Sequence, residues 1–287
     1  MRASDLKTYA KNTWCPGCGN FAIELAARQA FVELMEEGKL RIENLVVLSG
    51  IGCHAKMSDY LRVNSFYSLH GRVVAPATGV KLANPELTVV GFAGDGDAYG
   101  EGLEHLVFAA KRNVGISMII HDNGVYGLTT GQFTPTSPPG FPGKSTPRGS
   151  PEDPINPIAL MLSSGATFVA RAFPGNLQHL RSMIREAISH RGFSIVDVLQ
   201  PCVTFRDTWD FFSKRVYDLQ ERGHDSSNWE EAMDRAREWD YGGGAERIPI
   251  GIFYRAERPT FEERVLGGRR PRGLPMPNLE RILKDHI

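Results

Sequence analysis

Six continuous apolar runs punctuate the chain, at 44–49, 87–93, 115–121, 167–171, 193–199 and 248–254. Leu87-Thr88-Val89-Val90-Gly91-Phe92 is typical of them. It is apolar at successive rather than alternate positions, the pattern of a strand covered on both faces. Segments of helical periodicity lie between most of these runs, at about 101–112, 157–165, 176–190 and 228–239. Another helix is expected at 20–37, with Phe21, Leu25, Phe31, Leu34 and Met35 sharing a buried side and Gly38 as its stop. The alternation predicts an α/β fold built on a doubly wound, mostly parallel sheet. From Thr134 to Pro157 eight prolines with Gly, Ser and Thr interrupt the pattern. No regular element is expected there. The segment is either a disordered surface loop or an ordered flap across a partner subunit or the mouth of a site. The chain divides into a main domain, 1–260, and a C-terminal arm, 261–287, that carries Arg269, Arg270 and Arg272. The arm is either solvated or wrapped on a partner.

Composition narrows the picture. The 287 residues are 41% hydrophobic, enough for a large core. With 33 basic and 33 acidic residues the formal charge is zero, which argues against nucleic acid or an anionic membrane as the main partner. No apolar stretch reaches the ~18 residues of a membrane span, and Met1 to Lys11 has no signal-peptide core. A cytoplasmic location is expected, where four cysteines do not pair as disulfides.

The most informative pattern is a pair of loops. Ala93-Gly94-Asp95-Gly96-Asp97 follows one expected strand, and Asp122-Asn123-Gly124-Val125-Tyr126 follows the next. The span from Asp95 to Asn123 fits a strand end, a crossover helix and a second parallel strand. That brings both tips to the carboxyl edge of the sheet, where such folds bind ligands. A carboxylate, an amide and a free backbone carbonyl there are hard oxygen ligands, suited to Mg²⁺ shared with phosphates. Glycines let backbone N–H groups approach those phosphates. The spacing resembles the diphosphate-binding motif of thiamine diphosphate enzymes; the bland alternative is a Gly-rich turn with Asp95 as a helix cap.

Cys15 and Cys18 form a C-x-x-C knuckle around Pro16 and Gly17, while Cys53 and Cys202 each follow a strand end. Four thiolates suit zinc or an iron–sulfur cluster, and Cys15 with Cys18 alone would suit a redox dithiol. His54, next to Cys53, is expected beside the cysteine site or on the phosphate side. Thiamine diphosphate generates an electron-rich intermediate from a 2-oxo acid. An iron–sulfur core can accept its electrons singly and zinc cannot, so the two motifs together favour a 4Fe–4S cluster.

The chain as a whole resembles the β subunit of the 2-oxoacid:ferredoxin oxidoreductases, the pyruvate and 2-oxoglutarate group. The resemblance rests on Cys15-Pro16-Gly17-Cys18-Gly19, Gly50-Ile51-Gly52-Cys53-His54, Leu69-His70-Gly71-Arg72, Gly94 to Asp97, Asn123-Gly124-Val125-Tyr126-Gly127-Leu128-Thr129 and Gly131-Gln132. It covers roughly residues 10 to 265. It implies that Cys15, Cys18, Cys53 and Cys202 hold the cluster. It implies Asp95, Asn123 and the Val125 carbonyl as magnesium ligands. Gly94, Gly96 and Asp97 would line the diphosphate, with Gly127, Leu128, Cys53 and His54 also against the cofactor. His70 would stand at the cofactor's reactive end. The implied reaction is coenzyme A-dependent oxidative decarboxylation of a 2-oxo acid, with electrons passed to ferredoxin. The glutamate that activates the cofactor belongs to a separate α subunit in that family. The chain alone is therefore expected to be inactive, and the enzyme to be a heterodimer or heterotetramer.

Two positions depart from the family: Tyr67 where many relatives have His, and Thr130 where many have Lys. The second is near the substrate end. The segment Pro135 to Pro157 resembles a loop common in 2-oxoglutarate-type members and tilts the substrate that way. Lys56 and Arg72 read as surface charges or as binders of a substrate carboxylate, and Phe205 to Phe212 as core or interface. The rival readings are a non-oxidative thiamine diphosphate decarboxylase or synthase with structural zinc, and a non-catalytic zinc scaffold.

Overall fold

The computed structural model describes residues 1–242, 244–271 and 278–284. Eight strands form one sheet: β1 Leu45–Ser49, β2 Asn64–Tyr67, β3 Thr88–Gly94, β4 Ile116–Asp122, β5 Phe168–Ala172, β6 Ser194–Leu199, β7 Val216–Asp218 and β8 Ile248–Arg255. Their order is β2-β1-β3-β4-β6-β5-β8-β7. Every neighbouring pair is parallel except β5 with β8. The six apolar runs are thus six of the strands. The other two, β2 and β7, lie at the sheet's edges and have no counterpart among those runs. β2 is exposed throughout and β7 has only three residues, so neither needs an apolar sequence.

The main helices are α1 Asn20–Glu36, α2 Val74–Ala83, α3 Leu103–Arg112, α4 Pro157–Ser163, α5 Leu177–Ser189, α6 Trp229–Arg237 and α7 Phe261–Leu266. They cover both faces of the sheet, as the doubly wound reading requires. On one face α1 and α5 bury Ile23, Phe31, Leu34, Leu180 and Ile184 against Val47, Phe92 and Val196. On the other, α2, α3, α4 and α6 bury Val74, Leu106, Ile158 and Met233 against Val89, Met118 and Ile195. Burying an aliphatic or aromatic side chain of this size contributes about 1.5–3 kcal/mol.

The buried face of α1 is the expected one only in part: Phe31 and Leu34 are buried and Met35 packs beside them, while Leu25 is half-buried. Phe21 is exposed, and Ile23, Ala26, Ala27, Ala30, Phe31 and Leu34 face inward. They are joined by an ion pair of Arg28 with Glu24 at 2.6 Å, itself buried. A charged pair at i, i+4 reads in sequence as a solvated stripe, which rotates the expected face. Helix α2 has no sequence signal either: Pro76 and Gly79 disguise it, although proline is tolerated in a first turn.

The proline-rich segment has no strand, and its only helix is α4, which begins at Pro157. It is nonetheless ordered. Thr134, Thr136 and Ser137 are buried, and Ser137 Oγ donates to the Gly124 carbonyl at 2.7 Å. A loop bonded to the main chain in this way is an ordered one, so the disordered-loop reading falls. The arm begins with α7, where Glu262 is buried and accepts from the Gly115 N–H. Arg270 pairs with Glu86 at 2.8 Å; Arg272 lies outside the described residues. Phe212 is core and Phe205 exposed. No helix among the described residues is long and apolar enough to cross a membrane.

Candidate cofactor site

Strands β3 and β4 pair in register, with Gly94 opposite His121. Asp95 and Asp122 therefore leave the sheet side by side, and Asn123 follows. Asp95 does not cap a helix through its side chain, so the bland reading of this acid fails. The chain after it winds as a π-turn, Gly96–Glu101, and α3 proper starts only at Leu103. The helix N-terminus is consequently not at Asp97.

Asp95, Asp97 and Asp122 are all buried. The Asp95 carboxylate accepts from Thr136 Oγ1 at 2.9 Å and from the backbone N–H of Asn123. Thr136 Oγ1 is also 2.7 Å from Asp122 Oδ1. A hydroxyl has one proton, so both contacts are hydrogen bonds only when one of the carboxyls is protonated. Burial raises the pKa of both acids, and for Asp122 the charges of Asp197 and Asp95 add to it. Asp122 Oδ2 is buried with no hydrogen-bond partner among the described residues. The half-buried Arg206 faces this pair and donates from its guanidinium to the Asn123 carbonyl at 3.1 Å. A buried carboxylate at Asp95 with the Asn123 amide next along the edge offers hard oxygen donors that fit a divalent cation, whose charge would also ease the crowding of Asp122 against Asp95.

Asp97 is the hub of a second cluster. Its Oδ1 accepts from the Gly71 N–H at 2.6 Å, and its Oδ2 is 3.1 Å from His54 Nε2. His70 Nδ1 lies 3.2 Å from both Asp97 Oδ1 and Glu101 Oε2, without good hydrogen-bond alignment. Tyr126 OH donates to Glu101 at 3.0 Å. Two glycines are needed here for space. A Cβ on Gly96 would stand 2.2 Å from the Tyr126 ring, and one on Gly94 would stand 2.8 Å from His54. Backbone and rings are therefore pressed together around a pocket of about 60 Å³ lined by Cys53, His54, His70, Gly94 to Asp97 and Val125 to Thr129. That lining takes in the candidate residues of both loops except Asn123. Leu128 is half-exposed at the rim.

The four thiols gather beside this pocket. A Cβ on Gly127 would lie 3.7 Å from both Cys53 Sγ and Cys202 Sγ. Thr204 Oγ1 is 3.2 Å from Cys15 Sγ, and Gln200 Nε2 is 3.5 Å from Cys18 Sγ. The Cys18 N–H donates to the Cys15 carbonyl at 3.0 Å, which is the knuckle turn. Burial pushes the Cys18 thiol up to about 12, with the other three cysteines adding to it, and raises Cys53 as well. A bound metal centre would deprotonate them. Among the described residues no three His, Cys, Asp or Glu side chains converge tightly enough to hold a single ion. Four thiols in one neighbourhood are soft donors of the kind that hold zinc or an iron–sulfur core.

Lys56 donates to Thr13, and Arg72 to the carbonyls of Gly71 and Glu101. Thr130 has a left-handed φ of 78°, rare for a β-branched residue. The Lys144 ammonium reaches it at 3.3 Å. Thr136, Gln200 and Arg206 carry no signal in the sequence. Each acts through a contact with a distant loop, which no local pattern announces.

Comparison with known proteins gives a consistent result. Residues 50–198 match the family model "Thiamine pyrophosphate enzyme, C-terminal TPP binding domain". Residues 202–268 match the family model for the C-terminal part of the pyruvate ferredoxin oxidoreductase beta subunit. The chain is 46% identical to a 2-oxoacid:ferredoxin oxidoreductase subunit beta from Sulfolobus sp., over 88% of this chain and 85% of the relative. It is 38% identical to the 2-oxoglutarate synthase subunit KorB of Methanothermobacter thermautotrophicus, over 88% and 85%. Among solved structures it is similar to a 2-oxoglutarate:ferredoxin oxidoreductase from Magnetococcus marinus with 2-oxoglutarate, coenzyme A and succinyl-CoA bound. That match has TM-score 0.90 and 36% identity, and covers 100% of this chain and 96% of the other.

Proposed function

The chain belongs to the β subunits of the 2-oxoacid:ferredoxin oxidoreductases, and on that footing we propose that it works with an α subunit to decarboxylate 2-oxoglutarate oxidatively, form the coenzyme A thioester and reduce ferredoxin. The observation that carries this reading is that the Asp95 and Asn123 loops leave neighbouring strands and that Gly127, at the end of the second loop, lies against Cys53 and Cys202.

Asp95, the Asn123 amide oxygen and the Val125 carbonyl would hold Mg²⁺, and Cys15, Cys18, Cys53 and Cys202 a 4Fe–4S cluster. When bound, thiamine diphosphate would supply the electron sink that lets a 2-oxo acid lose CO₂, and a cluster on the four thiols would supply one-electron acceptance. The chain's own residues bind and orient. Backbone N–H groups at Gly94 and Gly96 would face the diphosphate, whose charge the metal would balance, while Arg206 steadies the second loop through the Asn123 carbonyl. His54 is held by Asp97, with His70 close beside the same carboxylate, which keeps a proton donor or acceptor at the pocket wall. The pocket of about 60 Å³ is far below the ~300 Å³ usual for a ligand of drug size. A site completed by another chain accounts for that.

For the substrate, 2-oxoglutarate is favoured over pyruvate by the 2-oxoglutarate enzymes among its relatives and by Lys144. This lysine brings an ammonium to Thr130, the position that the family resemblance puts near the substrate end. Lys144→Ala should raise KM for 2-oxoglutarate while leaving pyruvate turnover little changed.

The test is anaerobic co-purification with the α subunit, iron and acid-labile sulfide analysis, and turnover on 2-oxoglutarate and pyruvate with ferredoxin. Zinc in place of iron, or decarboxylation without electron transfer, would overturn the reading.

A further inference from the structure

Gln200 ends β6's run just ahead of Pro201 and Cys202, and it is buried (1% exposed). It stands between the two halves of the site. Its orientation is dictated by two main-chain groups of fixed polarity. The Val125 N–H can only donate, and it lies 3.0 Å from Asn123 Oδ1. Asn123 must therefore turn its Nδ2 the other way, where it donates to Gln200 Oε1 at 2.8 Å. At the far end the Pro201 carbonyl can only accept, and it takes an N–H from Gln200 Nε2 at 2.6 Å. The second proton of that Nε2 has Cys18 Sγ at 3.5 Å. The amide's oxygen is thus committed to the metal loop and its nitrogen to the thiol loop.

From this network, and resting on the metal and cluster assignments proposed above, we infer that Gln200 is a positioning residue with two separable tasks. Its carbonyl holds the Asn123 amide so that Oδ1 faces the metal position. Its N–H donates to the Cys18 sulfur and raises the reduction potential of the cluster. The sign follows from charge. Reduction adds one electron and no proton to the cluster, and that electron comes from the substrate carbon during oxidative decarboxylation. An N–H donor at a ligand sulfur stabilises the more negative state.

Two substitutions separate the tasks. Gln200→Glu preserves shape and an acceptor for Asn123 but removes the donor to Cys18. Gln200→Leu removes both. In the anaerobically purified αβ enzyme, a redox titration followed by electron paramagnetic resonance should give a more negative cluster potential for both variants. Calorimetry of Mg²⁺–thiamine diphosphate should give an affinity about tenfold weaker for Gln200→Leu and unchanged for Gln200→Glu. A merely structural role would move the two readouts together. A wild-type potential in both variants, with iron content unchanged, overturns the inference while leaving the cluster assignment standing. Equal loss of cofactor affinity in both variants overturns the role of the carbonyl. Wild-type enzyme without iron overturns the cluster assignment and this inference with it.

Discussion

The sheet has a cavity among charged side chains at each of its two edges. At the amino edge, between the starts of β3 and β4, Lys81, His190, Arg191, Glu262 and Glu263 line about 290 Å³. That is several times the roomier of the two. Yet its charges are answered. Lys81 Nζ donates to the carbonyls of Pro85 and Leu87 at 2.9 and 2.8 Å. Glu262 accepts from Gly115, Arg191 pairs with Glu263 at 2.6 Å, and His190 bonds Thr167 at 2.8 Å. At the carboxyl edge the cavity is small, but Asp95 and Asp122 share one hydroxyl and Asp122 Oδ2 has no partner among the described residues. Volume does not mark the functional edge. What sets the carboxyl edge apart is a crowded pair of acids with one orphaned oxygen, a cost that an arriving cation would recover.

The contrast can be broken at either end. The largest effect is expected from Asp95→Asn. Binding of Mg²⁺–thiamine diphosphate should fall by more than about a hundredfold. The unliganded chain should melt higher, because a buried acid beside Asp122 is gone. A variant that binds normally, or that melts lower without ligand, would remove the basis of the comparison. Thr136→Val comes next. It deletes the shared hydroxyl and should weaken cofactor binding about tenfold, read by the same calorimetry. At the amino edge, Lys81→Met should cost about 1–2 kcal/mol in urea unfolding, since two carbonyls lose their donor. Cofactor binding should not change; if it does, the edges are not independent.

The smallest effect is a pH dependence. Burial lowers the His190 pKa from its ordinary 6.5 to about 4, with the Arg255 charge second. Between those values the unfolded chain binds the extra proton, so stability rises with pH there. Acidification from 6.5 towards 4 should destabilise the wild type more steeply than His190→Gln, and below 4 this group should contribute nothing more. Parallel curves for the two proteins would sink this assignment.

Much of the frame is legible in the sequence because its signals are local. The six apolar runs are strands, and the Asp95 to Asn123 spacing is a crossover whose ends meet. The four cysteines, spread from Cys15 to Cys202, come near one another because each lies in a knuckle or just past a strand end. What escapes is long-range. β2 and β7 gain their strand character from a neighbour rather than from an apolar core face. The Glu24–Arg28 pair is buried only because α5 and the N-terminal segment close over α1. Thr136, Gln200 and Arg206 are polar residues in irregular segments, and nothing near them in the chain says which loop they will meet.

The in-register ends of β3 and β4 have a consequence for divergence. The gap between the two cofactor loops is a ladder spacing of about 4.8 Å, set by main-chain hydrogen bonds and indifferent to side chains. On the proposed assignment, lineages can rewrite the rim around Leu128, Thr130 and Lys144 to suit a new acid while the pyrophosphate seat stays where it was.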